Sequence, residues 1–171
     1  ARAFLGELNA FVWRKNLDFA AIADIHSIKR QIHAHKVDER LTAAGVDLKL
    51  GRGGIREIEF YVQTQQLILG GRQPELRSRR TLEALAALRD AGHVSPAAAQ
   101  ELAEAYELLR AVEHRVQMVA DEQTHRLPES DTGRRRGSDL AGYALVRSFD
   151  AEITKVLKRV NTRNRGLFRG G

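Results

Sequence analysis

The chain has 171 residues, enough for one domain with a real core and too few for two comfortable ones. Hydrophobic residues make up 43%, charged residues 29% and aromatics only 6%, which excludes disorder and favours helices packed through aliphatic seams over a β-sandwich. Cysteine is absent, so disulfides, thiolate metal sites and cysteine nucleophiles are excluded together, in keeping with a cytoplasmic protein.

The N-terminal stretch ARAFLGELNAFVWRK lacks the order of a signal peptide and opens without Met into a helical pattern, as expected of a segment of a longer chain. Phe4, Leu8, Phe11 and Val12 predict a helix over 2–15. Asp18 is placed to cap a second helix, with Ile22, Ile25, Ile28 and Ile32 on one face, running to about Ala44 and stopped by Gly45. Residues 45–54 form a glycine-rich turn, in which the alternation of Val46, Leu48 and Leu50 allows a short extended piece. The next helix places Ile55, Ile58, Val62 and Leu69 on one stripe and ends at Gly70-Gly71 before Pro74. Leu82, Leu85 and Leu88 mark a short helix closed by Gly92. Ser95-Pro96 then starts a long helix to about Thr124, through Leu102, Tyr106, Leu109, Val112, Val116 and Val119. The polar, glycine-rich segment 129–138 reads as a loop, open to being mobile; residues 139–147 read as a short helix and 149–168 as a final one. The sum is an all-α fold, a helical bundle of about six or seven helices in one domain over 1–171. No apolar run reaches the roughly 18 residues of a membrane span.

The formal charge is +6, from 28 Lys and Arg against 22 Asp and Glu, which is compatible with a phosphate-bearing partner. Acidic residues are interleaved with basic ones through most of the chain, which weighs against a nucleic-acid binder. The sharpest basic cluster, Arg134 to Arg136 between Gly133 and Gly137, reads first as solvated and second as a phosphate contact.

The stretch KLGRGGIREIEF, residues 49–60, carries the most chemistry. Gly51, Gly53 and Gly54 permit close backbone approach, and a helix begins at once, so its N–H groups and positive dipole end lie beside Lys49, Arg52 and Arg56. Anion binding and a tight structural turn are both open readings; neither a Walker loop nor a GxGxxG fingerprint is present. Arg56, Glu59 and Gln63 share one face of the following helix, extended by Gln66, as either a buried polar network or an exposed face with one Arg–Glu pair. Among the histidines, His26, His33, His35 and His114 show no helical metal spacing and no HExxH. The aspartates are scattered with no DxD pair of the kind that holds magnesium for nucleotidyl transfer.

Residues 48–77, LKLGRGGIREIEFYVQTQQLILGGRQPELR, resemble the signature of the bifunctional glutamine synthetase adenylyltransferase/deadenylylase family. The resemblance continues through FVWRKNLDFAAIADIHSIKRQIH (11–33) and LRAVEHRVQMVADEQTHRLP (109–128). It implies a helical domain beside a nucleotidyltransferase domain, and the wording GGIREIEF is similar to the first, AMP-removing half of such enzymes. It further implies that magnesium and ATP or ADP are bound by the parent enzyme rather than by this chain alone. The partners it implies are glutamine synthetase, a PII-type signalling protein and the upstream catalytic domain of the same polypeptide. Under it, Lys49, Arg52, Gly53, Gly54 and Arg56 are expected to face phosphate or nucleotide, and Glu57, Glu59 and Gln63 to pair across the domain boundary. The competing readings are a non-catalytic module that docks glutamine synthetase or the PII-type regulator, and a basic nucleic-acid-binding module.

Overall fold

Apolar residues recurring every three to four positions produce amphipathic helices, and the computed structural model shows how those stripes meet. It describes residues 7–9, 11–13, 23–24, 27, 41–120, 124–140 and 142–167. Within these lie α1 (Ile55–Leu69), a 3-10 turn (Pro74–Leu76), α2 (Thr81–Asp90), α3 (Pro96–Ala120), α4 (Asp131–Leu140) and α5 (Val146–Leu167). The fold is all-α. Among the described residues the extended piece expected near Val46 amounts to one isolated antiparallel bridge, Asp47 to Arg126.

The centre of the bundle is the contact of α1, α3 and α5, with α2 against α1 and α3, and α4 against α3 and α5. Ile55, Ile58 and Val62 of α1 are buried there with Leu102, Leu109 and Val112 of α3 and Phe149, Ile153 and Leu157 of α5. Each such side chain contributes about 1.5–3 kcal/mol of transfer free energy. Helix ends follow their local chemistry. Ser95 Oγ accepts from Ala98 N–H at 3.3 Å at the start of α3. At the end of α2, Gly92 takes φ +77° while His93 N–H donates to Leu88 O and Gly92 N–H to Arg89 O, a Schellman closure.

The C-terminal third departs from expectation. Residues 129–138 are not a loop: helix α4 begins at Asp131 and continues to Leu140. Ser130 starts it by accepting Gly133 N–H on Oγ at 3.2 Å, and a side chain at Gly133 would press on Pro128. Arg134 is buried, donating to both Asp150 carboxylate oxygens at 3.1 Å, to Pro128 O at 3.1 Å, and to Glu129 O and Asp131 Oδ1. A charged residue from α5 thereby holds in place a helix of poor intrinsic propensity. Arg135 and Arg136 alone of the basic run are exposed. Of the short helix expected over 139–147, residues 139–140 end α4, 142–145 are not helical, and α5 starts earlier than expected, at Val146. Over 41–44 the chain is in bend and turn conformation rather than helix; the rest of the predicted 18–44 helix, and most of 2–15, lie outside or at scattered positions of the described residues.

Candidate functional site

The glycine turn is built by an aspartate and closed by its own carbonyls. Asp47 Oδ1 accepts Lys49 N–H at 3.0 Å and Leu50 N–H at 2.7 Å, and Asp47 O accepts Gly51 N–H at 2.8 Å. The chain then doubles back, so that Ile55 N–H donates to Leu48 O at 2.9 Å and Arg56 N–H to Lys49 O at 3.0 Å. Leu48 N–H donates to His125 O and Leu127 N–H to Val46 O, which straps residues 125–127 onto the turn. Gly53 has φ +73°, and a Cβ there would collide with the Leu157 carbonyl of α5; one at Gly54 would lie 2.7 Å from Leu48 O.

The first donors of α1 are therefore occupied from within the chain. Gly53 and Gly54, expected to bring backbone close to a phosphate, are buried and bring it close to α5 and to Leu48 instead. Lys49 and Arg52 keep partly exposed side chains outside this knot, and Arg56 is exposed.

The structure divides the polar residues of α1 between two faces. Glu57 points to α5, where buried Asn164 donates to its carbonyl at 2.9 Å and to its carboxylate at 3.3 Å. Arg56, Glu59 and Gln63 share the opposite face and line a cleft of about 660 Å³ with Arg79, Arg80, Thr81, Leu82 and Glu83 of the α2 start and Tyr106 of α3. Within it Arg56 Nη1 lies 3.4 Å from Glu59 Oε2, and Tyr106 Oη lies 3.5 Å from Glu59 Oε1. Gln66, expected to extend the stripe of Arg56, Glu59 and Gln63, is buried, and its amide donates to Leu76 O at 2.5 Å and Ser78 O at 2.8 Å.

Those bonds pin the turn that carries Arg79 and Arg80. Arg77 reinforces them, donating to Gly70 O at 2.6 Å with its guanidinium 5.3 Å from the centre of the Trp13 ring. Arg80 pairs with Glu83 at 2.9 Å, and Ser78 Oγ donates to the other Glu83 oxygen at 2.8 Å. The Ser78 bond first, and Arg80 second, hold the Glu83 carboxyl below the usual carboxylate range. No side chain caps α2. Reasoning on the sequence missed Arg79, Arg80 and Tyr106; the signal was RSRR, residues 77–80, immediately before a helical pattern.

A second polar cluster supports the glycine turn. Buried Glu113 of α3 receives Arg110 Nη1 at 2.6 Å, and its Oε1 lies 2.7 Å from His125 Nδ1, a hydrogen bond only when that nitrogen carries the proton. Gln117 Nε2 lies 3.2 Å from the same nitrogen. Among the described residues no group of three or more His, Cys, Asp or Glu is placed to hold a metal ion, and no helix is long and apolar enough to cross a membrane.

Residues 26–168 match the family described as GlnD PII-uridylyltransferase. The chain belongs to that family. It is also similar to proteins named bifunctional glutamine synthetase adenylyltransferase/adenylyl-removing enzyme. That of Caulobacter vibrioides is 67% identical over 168 residues, 98% of this chain and 17% of that protein. That of Rhizobium meliloti is 56% identical over 165 residues, covering 96% of this chain and 17% of that protein. That of Brucella melitensis is 54% identical over 167 residues, covering 98% and 17%. The resemblance seen in residues 48–77 is thus borne out along nearly the whole chain, which spans 17% of the length of each of these relatives.

Proposed function

We propose that the chain is an accessory helical domain of a glutamine synthetase adenylyltransferase/adenylyl-removing enzyme, following its first nucleotidyltransferase domain. The observation that carries this is the match of almost the whole chain, at 67% identity, to a 17% share of an enzyme with that name. In this reading the upstream domain of the same polypeptide holds magnesium and ATP or ADP and transfers AMP to or from a tyrosine of glutamine synthetase. A PII-type protein adjusts the balance. Among the described residues of this chain no group of three or more His, Cys, Asp or Glu is placed to hold that metal.

The chain's own part is a rigid, charged wall. Arg56, held on α1 by the glycine turn, offers a guanidinium to phosphate oxygens, with Lys49 and Arg52 beside the same helix end. Fixed positive charge of this kind stabilises phosphoryl oxygens without reorganisation. Glu59 and Gln63 pair with polar groups of the adjoining domain, while Glu57 fastens α1 to α5. In the full-length enzyme Arg56→Ala is expected to lower AMP removal about ten-fold or more at unchanged folding. Undiminished activity would sink this role for Arg56. The isolated chain is expected to transfer no nucleotide.

The exposed face of α5, with Lys155, Lys158, Arg159 and Arg165, favours a second reading: a module that docks an acidic surface of glutamine synthetase or of the regulator. Pull-down of each partner by the isolated chain, lost on Lys158→Glu/Arg159→Glu, separates it from the first.

A further inference from the structure

We infer that the cleft between α1, the start of α2 and α3 binds a phosphate group, with Arg79 as its principal ligand and Arg56 as its second. Three guanidiniums line this cleft against two carboxylates. Glu83 is closely paired with Ser78 and Arg80, while Glu59 makes longer contacts, 3.4 Å to Arg56 and 3.5 Å to Tyr106. Arg79 has no partner among the described residues, so its charge is the one left to a ligand. Arg56 joins it readily, since its bond to Glu59 is long, at 3.4 Å, and its side chain is 60% exposed.

The position of Arg79 is built rather than incidental. The two carbonyls accepting from the buried Gln66 amide are those of Leu76 and Ser78, the latter immediately before Arg79. Arg77 ties the same turn to the end of α1. A buried amide spent on two main-chain carbonyls fixes where the next side chain leaves the backbone. Planar guanidiniums match tetrahedral phosphate bidentately, and a dianion draws on both arginines where a carboxylate satisfies itself with one. The shared chemistry is a phosphate group, free or at the end of a nucleotide. This deepens the accessory-domain reading and rests on it only for the natural source of the phosphate; binding by the chain itself does not depend on it.

The test is an NMR titration of the 171-residue chain with inorganic phosphate, ADP and adenosine, at ionic strength held constant with chloride. Phosphate and ADP are expected to shift the Arg79 and Arg56 Nε–H signals and the Thr81–Glu83 amides saturably, and adenosine to leave them in place. Arg79→Gln should weaken phosphate binding about ten-fold, ~1.4 kcal/mol, and Arg56→Gln less. Arg135→Gln, on the exposed face of α4, should leave it unchanged. Tighter ADP than phosphate would support the site with a nucleotide as source, and equal affinity would support it with free phosphate. Unchanged affinity in folded Arg79→Gln, or saturable shifts confined to α4 and α5, would overturn it. If binding holds while Arg56→Ala leaves AMP removal intact in the full enzyme, the role of Arg56 in AMP removal fails and the site stands.

Discussion

Helices α1 and α2 begin on basic loops, KLGRGG and RSRR, yet the two starts are opposite in character. At α1 the first N–H groups are taken by the Leu48 and Lys49 carbonyls, and the glycines let the turn press on the backbone of α5. At α2 no side chain caps the first turn, the glycines are gone, and a buried glutamine holds the loop from behind so that Arg79 and Arg80 line a cleft. The contrast teaches that glycine next to a helix start does not identify an anion site. What decides is whether the chain itself fills the donors that the helix dipole makes attractive to an anion.

Substitutions on the two sides should separate these roles. The largest effect is expected at Gly53→Ala, where a Cβ meets the Leu157 carbonyl at a positive φ; urea unfolding should show a loss of about 3 kcal/mol or more. A loss below about 1 kcal/mol would mean the turn is not wedged against α5. Gln66→Ala strands two carbonyls at the back of the RSRR turn and should cost about 2 kcal/mol. It should also disorder the Arg79 signals, whereas Gly53→Ala variants that still fold should leave them sharp. Asp47→Ala removes the two turn bonds at the α1 side and should cost about 1 kcal/mol by the same assay.

The smallest effect concerns pH. Because its Ser78 and Arg80 bonds depress the Glu83 carboxyl, the order they give the α2 start is present above the ordinary glutamate range and is lost as pH falls through the lowered value. NMR titration should find Glu83 protonating below an unperturbed glutamate, and Ser78→Ala should raise it. An unmoved midpoint in Ser78→Ala would show that Arg80 alone carries the shift.

Much of the fold is legible because α1, α3 and α5 carry apolar residues at helical spacing over many turns. Ile55, Ile58 and Val62, and likewise Ile153, Val156, Leu157 and Val160, are buried as their spacing predicts. Helix α4 is not legible. Its sequence DTGRRRGSDL has two glycines and almost no apolar residue, and its stability comes through Arg134 to Asp150, sixteen positions away. The site divides in the same way. The grouping of Arg56, Glu59 and Gln63 follows from helical periodicity, whereas Arg79, Arg80 and Tyr106 come from other elements and share no spacing with them.

The amino-acid sequence by itself determines the helical class, the positions of the main stripes and the family, because periodicity and kinship are local or continuous properties of the chain. The tertiary structure decides that the glycine turn is filled by its own carbonyls, that Glu57 faces α5 while Arg56 faces a cleft, and that Arg134 is buried and Arg79 is not. Those outcomes depend on which surfaces the packed helices bring together. No pattern along one helix encodes what will lie across from it.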